Sequence, residues 1–140
     1  MPLSVLHKPA TVLIVENEAI VRLELKAQLL DMGLIVLTAA DADEAIVLLD
    51  AHAEIRLLLT DIRMPGPMDG LRLAHHVRRR WPPVRIIVIS GLIDTKLSQL
   101  PADSIFLSKP YGPEGLSEAL GQMIGGAGPQ TEGRRAAAHR

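Results

Sequence analysis

The chain has 140 residues, 48% of them hydrophobic and 2% aromatic, with a formal net charge of -1 at pH 7 and no cysteine. This length suits a single domain with one core, while the few aromatic residues and the near-zero charge argue against a base-stacking surface or a general binder of nucleic acid or membranes. The lack of cysteine excludes disulfides and thiol chemistry, and no apolar run is long enough for a signal peptide or a membrane span, so we expect a cytoplasmic protein.

Five short apolar runs predict β-strands. They cover residues 10–15, 34–38, 55–60, 84–90 and 104–108 and are rich in Val, Ile and Leu. Their apolar residues mostly do not alternate with polar ones, which is typical of parallel strands covered on both faces.

Helical patterns separate these runs. The apolar stripes are Ile20, Leu23, Ala27 and Leu30; Ala42, Ala45, Ile46 and Leu49; Leu73, Val77 and Trp81; and Leu116, Leu120 and Met123. Gly33 fits a left-handed cap after the first stripe, Asp41 with Glu44 resembles a capping box, and Pro113 fits the first turn of the last helix. Residues 92–100 predict a further, shorter helix.

Strands that alternate with helices predict an α/β fold with a parallel sheet, right-handed crossovers and helices on both faces. Ligands bind such sheets at the carboxyl ends of the strands. Four of the predicted strands end at or beside residues with polar side chains. The residues at these ends are Glu16, Asn17 and Glu18; Asp61; Ser90 and Gly91; and Lys109 and Pro110. We therefore expect Asp61 to lie among oxygen ligands suited to Mg²⁺ and within reach of a lysine.

These motifs, in this order, resemble the receiver domain of bacterial two-component response regulators over residues 9–125. The matching residues are Glu16 and Asn17 in LIVENEA for the acidic pair, Asp61 in LLLTDIRMPG for the phosphoacceptor, Ser90 in IVISG, Lys109 in LSKPY, and Phe106 for the switch aromatic. The resemblance implies a flavodoxin-like, doubly wound, five-stranded parallel sheet in the order 2-1-3-4-5.

The resemblance also implies a function. Asp61 would take a phosphoryl group from a histidine kinase or a histidine phosphotransfer protein, which makes the chain a signalling phosphoacceptor rather than an enzyme. The implied Mg²⁺ ligands are Glu16, Asn17, Asp61 and the backbone carbonyl of Arg63. Lys109 and Ser90 would bind the phosphoryl oxygens. Ser90 and Phe106 would then alter the face formed by the helix at 92–100, the fifth strand and the last helix.

Asn17 departs from the family pattern, because its amide oxygen can ligate a cation but brings no charge. It favours an alternative in which the chain is a pseudo-receiver that binds proteins independently of phosphorylation. The loop MPGPMDG is also one residue longer than the commoner MPGMDG. A haloacid-dehalogenase-type hydrolase would need a second Asp two residues after Asp61, and that position is Arg63.

Residues 126–140 contain no core-forming residue larger than alanine, so we expect a disordered tail and no output domain. Signalling would then pass through an unidentified downstream protein, or through a homodimer formed by the face of the 92–100 helix and the last helix. The basic run HHVRRRW at 75–81 is interpreted as a solvated helix face, so neither nucleic acid nor membrane is an expected partner.

Overall fold

The computed structural model describes residues 9–91 and 99–124, and its strands and helices alternate along most of that range. The strands are β1 (Thr11–Val15), β2 (Ile35–Ala39), β3 (Ile55–Asp61), β4 (Arg85–Ser90) and β5 (Ile105–Ser108). The helices are α1 (Ala19–Asp31), α2 (Ala42–Ala51), α3 (Gly70–Arg80) and α4 (Gly112–Ile124). The five predicted strands are confirmed, each to within one residue at either end.

The strands form one sheet in the order β2-β1-β3-β4-β5. Every neighbouring pair in it is parallel. The predicted doubly wound α/β fold is therefore confirmed.

The core consists of two apolar layers, one on each face of the sheet, because successive strand side chains point to opposite faces. In β1, Leu13 and Val15 pack with residues of α2 and α3, whereas Val12 and Ile14 pack with residues of α1 and α4. All four of these side chains are fully buried. Burial of one such side chain stabilises the fold by about 1.5–3 kcal/mol, so the two layers hold the strands in fixed register.

Two predicted helix ends are confirmed by their hydrogen bonds. Gly33 has a φ of 84° and follows α1, where its N–H donates to the carbonyl of Leu30 and the N–H of Leu34 donates to that of Leu29. This pair of bonds is the Schellman arrangement. At the start of α2, the Asp41 side chain accepts from the N–H of Glu44 at 2.9 Å.

The predicted apolar face of α1 was wrong, although the helix itself is present. Ile20, Leu23 and Leu30 are 72%, 64% and 50% exposed, whereas Leu25 and Leu29 are 4% and 0% exposed and pack on the sheet. α1 carries apolar residues on two opposite sides, so helical spacing alone could not tell which side faces the core. The exposed residues Ile20, Leu23 and Leu30 therefore form an apolar stripe along the solvent side of α1.

The other helices agree with their predicted stripes. Leu73 and Val77 of α3, and Leu116 of α4, are fully buried. Residues 92–98 of the predicted helix at 92–100, and the whole predicted tail at 126–140, lie outside the described residues. In the described part of the chain, no helix is long and apolar enough to cross a membrane.

Candidate functional site

The register of the sheet brings the polar strand ends together. β1 pairs with β3 so that Val15 lies beside Thr60, which places the next residues, Glu16 and Asp61, at the same edge. These carboxylates are 45 positions apart in the sequence, and their proximity follows from strand pairing rather than from any local motif.

The same edge receives the ends of β4 and β5. Ser90 pairs with Ser108, and the N–H of the next residue, Lys109, donates to the carbonyl of Ser90 at 3.0 Å. The lysine stem therefore starts at the level of the strand ends and extends towards Asp61.

A cavity of about 770 Å³ opens at this edge. Its walls are Glu16, Asn17, Glu18, Asp61, Ile62, Arg63, Met64, Pro65, Asp69, Gly91 and Lys109. Four of these residues carry carboxylates, and two, Arg63 and Lys109, are cationic. The cavity therefore has a predominantly acidic lining.

Asp61 is buried, and its charge is paired. The Nζ of Lys109 lies 2.8 Å from Oδ2 of Asp61, and the N–H of Arg63 donates to Oδ1 at 3.1 Å. The Asp61 side chain is 9% exposed and that of Lys109 is 36% exposed. The bridge therefore lies at the cavity wall, where a charged ligand could reach it.

Glu16 is the second buried acid, at 3% exposure. Burial raises its pKa above the ordinary value of 4.5, the N–H of Glu18 opposes this shift, and the neighbouring Asp61 adds to it. For Lys109, burial alone would lower the pKa, but the hydrogen bond to Asp61 and the charges of Asp61 and Glu16 outweigh burial and raise it above 10.5. Two acids thus share one ammonium, and a further cation would relieve their repulsion.

The residues present fit a hard cation. Glu16, Asp61 and Asn17 all line the cavity. Their side chains carry carboxylate and amide oxygens, and Mg²⁺ binds such oxygen ligands with as few as one or two carboxylates. Within residues 9–91 and 99–124, no three His, Cys, Asp or Glu residues are arranged to hold a metal. The backbone carbonyl of Arg63 stays a predicted ligand.

The two predicted switch residues occupy different environments. Ser90 is 1% exposed, and the residue after it, Gly91, lines the cavity. Phe106 is half-buried and packs against the apolar layer on the α2 and α3 side of the sheet. Their roles in a switch stay predictions.

Gly70 is a residue of this site whose role the sequence did not reveal. A Cβ at Gly70 would lie 1.7 Å from the main-chain oxygen of Asp61, and its N–H donates to the carbonyl of Ile62 at 2.8 Å. Gly70 is the first residue of α3, which is capped by the side chain of Asp69. The Asp-Gly pair was the available signal, since Asp is a preferred N-cap.

Comparison with known proteins agrees with this geometry. A family model described as response regulator receiver domain matches residues 12–121. The hydrogenase transcriptional regulatory protein HoxA of Cupriavidus necator is 35% identical over 132 residues, which are 91% of this chain and 27% of HoxA. The sensor kinase CckA of Brucella abortus is 33% identical over 119 residues, 82% of this chain and 12% of CckA. The chain thus spans about a quarter or less of these relatives.

Solved structures give the same result. A response regulator receiver protein from Sinorhizobium medicae superimposes with a TM-score of 0.77 at 33% identity, covering 85% of this chain and 97% of that one. The response regulator TrrA of Thermotoga maritima, solved in complex with Mg²⁺ and BeF, has a TM-score of 0.74 at 26% identity and covers 82% of this chain and 99% of its own. The chain therefore belongs to the family of response regulator receiver domains.

Proposed function

We propose that this receiver domain accepts a phosphoryl group on Asp61 from the phosphohistidine of a histidine kinase or phosphotransfer protein. The observation that carries the proposal is the 2.8 Å contact between Lys109 Nζ and Asp61 Oδ2 at the wall of an open acidic cavity. Lys109 and Glu16 both have raised pKa values, and groups with shifted pKa values in a cleft favour a functional site over a purely structural one.

In the proposed reaction, one oxygen of Asp61 forms a bond to phosphorus while the phosphorus–nitrogen bond of the donor histidine breaks. The imidazole leaves with the electron pair of that bond. Lys109 pairs with the phosphoryl oxygens as negative charge arrives, and the hydroxyl of Ser90 donates to another of them. Such transfers depend mainly on positioning and charge neutralisation.

Glu16, Asn17 and Asp61 are the proposed ligands of Mg²⁺, together with the backbone carbonyl of Arg63. When bound there, the ion supplies positive charge to the phosphoryl oxygens. The Mg²⁺ in the TrrA complex supports this proposal by analogy between members of one family. Asn17 brings no charge, so the resting site has fewer anionic ligands than the usual pair of acids provides.

Intact-mass measurement after incubation with Mg²⁺ and acetyl phosphate tests the proposal. The unchanged protein should gain the mass of one phosphoryl group, and Asp61→Asn should gain none. Asp69→Asn is the matched control, because Asp69 lines the same cavity and Asn caps a helix as well as Asp does. That control should still be labelled.

Two results would count against the proposal. Equal labelling of Asp61→Asn would place the phosphoryl group on another residue. No labelling of the unchanged protein, by acetyl phosphate or by a phosphorylated histidine phosphotransfer protein, would favour the pseudo-receiver that Asn17 suggests. We further propose that the phosphorylated domain signals through a downstream protein, or through a homodimer formed by α4 and the helix predicted at residues 92–100.

A further inference from the structure

The side chain of Arg22 reaches back from α1 to the acidic loop, residues 16–18, that precedes the helix. Its Nη1 donates a hydrogen bond to the main-chain carbonyl of Glu16 at 2.7 Å. The Arg22 residue is half-buried, and its own N–H donates to the carbonyl of Glu18 at 2.9 Å. Arg22 therefore bonds both ends of the acidic loop.

Glu16 is held at three points. Its N–H donates to the carbonyl of Ala39 at 3.0 Å, its Oε2 accepts from the N–H of Glu18 at 3.0 Å, and its carbonyl accepts from Arg22. The first contact continues the sheet and the second is local to the loop. The third comes from a charged side chain on another element, so it depends on residue type and a substitution can remove it.

The orientation of Glu16 matters more in this chain than in one with two acids. Asn17 is neutral, so Glu16 carries the whole charge of the pair that follows β1. A carboxylate that is 3% exposed and faces a second buried acid can serve a cation only if its direction is fixed, because an anion turned into the core would be neutralised instead.

We propose that Arg22 is a positioning residue that fixes the acidic loop so that the Glu16 carboxylate faces Asp61 and binds Mg²⁺. The inference rests on the proposed function, of which it specifies the metal-binding half. Arg22 acts through its bond to the Glu16 carbonyl and does not touch the metal or the phosphoryl group.

Arg22 should affect the affinity for Mg²⁺ in two opposite ways. The direction of the change on substitution therefore shows which effect is larger. Its positive charge repels a cation, so loss of the charge alone should tighten binding. Its hydrogen bond orients a ligand, so loss of the bond should weaken binding. Groups that orient metal ligands typically change metal affinity by about 10- to 100-fold when removed. A substitution at Lys26, which is also half-buried on α1, measures the effect of losing one charge alone.

The first experiment is a Mg²⁺ titration followed by backbone amide shifts. Arg22→Met removes the charge and the donor but keeps an apolar stem, and it should bind Mg²⁺ about tenfold more weakly. Lys26→Met, one turn further along α1, is the matched control for loss of charge and should bind equally or slightly more tightly. Arg22→Lys keeps the charge and one donor and should lie between Arg22→Met and the unchanged protein.

The second experiment needs no metal. In Mg²⁺-free protein, Arg22→Met should exchange the amide hydrogens of Glu16 and Glu18 several-fold faster than the unchanged protein, while Lys26→Met should not. Thermal unfolding shows whether each variant is folded. If Arg22→Met is unfolded, Arg22→Gln replaces it in both measurements. Weaker Mg²⁺ binding and faster amide exchange would again support the proposal.

Mg²⁺ binding as tight as that of the unchanged protein, or tighter, would overturn the proposal, as would unaltered exchange at Glu16 and Glu18. These failures are distinct from failure of the proposed function. If Asp61 is labelled normally while Arg22→Met keeps its Mg²⁺ affinity, only the role of Arg22 is wrong. If Asp61 is never labelled, hydrogen exchange still reports whether Arg22 holds the loop.

Discussion

Replacement of Gly70 by alanine should destabilise the protein, because α3 begins directly against the backbone of the phosphoacceptor. The new Cβ would lie 1.7 Å from the Asp61 oxygen, 2.6 Å from its carbonyl carbon and 2.8 Å from the Cα of Ile62. All three are backbone atoms, so no side-chain rotation relieves the contact. Since real Cβ contacts are essentially never under 3.0 Å, the two segments must move apart until this 1.7 Å contact reaches at least 3.0 Å.

The magnitude follows from three contributions. Overpacking costs about 1–3 kcal/mol, and loss of the 2.8 Å bond from the Gly70 N–H to the Ile62 carbonyl costs about 1 kcal/mol more. Alanine returns up to about 1 kcal/mol because glycine is the more flexible residue in the unfolded chain. The free energy of unfolding should therefore fall by about 2 kcal/mol.

Urea unfolding followed by the fluorescence of Trp81, the single tryptophan, measures this difference. The midpoint should fall by about 1 M for Gly70→Ala. Gly121→Ala is the control, because a Cβ there meets nothing within 4 Å, and its midpoint should stay equal or rise. Because the displaced atom belongs to Asp61, Gly70→Ala should also be labelled by acetyl phosphate more slowly than the control. A Gly70→Ala protein as stable as the unchanged one would refute the reasoning.

Three further predictions concern the cavity and its surroundings. Asn17→Asp should tighten resting Mg²⁺ binding about tenfold if the restored charge contributes ~1.4 kcal/mol, and an unchanged affinity in an amide-shift titration would point to Glu18 as the ligand instead. Ser90→Ala should still accept phosphate but show smaller amide shift changes around Phe106 on phosphorylation, because the hydroxyl that draws the loop inward is missing; equal changes would contradict this. Tyr111 should titrate above its ordinary pKa of 10.0, because burial disfavours the phenolate, so stability should fall as pH rises above 10 through the folded pKa. Ultraviolet absorbance of this single tyrosine measures its midpoint, and a value at or below 10 would be inconsistent with its burial.

The strands were predictable because their signal is strong and local. The segments at 55–60 and 84–90 each contain an unbroken apolar run and are followed by a charged residue or a glycine, so both their type and their bounds could be predicted from the sequence. The caps at Gly33 and Asp41 were equally local, since each depends on residues within one turn of it. The order of the strands in the sheet was predicted from the resemblance to receiver domains, because hydrophobic periodicity alone does not determine strand order.

The features that the sequence missed depend on contacts between distant segments. The buried face of α1 is set by the sheet that packs on Leu25 and Leu29, and the exposed stripe had the more regular helical spacing. The tight approach of Gly70 to Asp61 joins residues nine apart, with a loop of two prolines and a glycine between them. No rule of spacing identifies such an approach, because it depends on the path of that loop.

The residues that stabilise the site differ from those that provide its polar groups. The register of β1, β3, β4 and β5 places Glu16, Asp61, Ser90 and Lys109, and that register is held by side chains buried in the two apolar layers. The side chains proposed to bind the phosphoryl group and Mg²⁺ come at the last residue of a strand or one or two residues after it, where the backbone leaves the sheet. Substitutions in the layers should therefore change stability and leave the chemistry of surviving folded molecules intact. Substitutions at Asn17 or Arg22 should instead change metal binding at little cost in stability, because neither residue belongs to the two apolar layers.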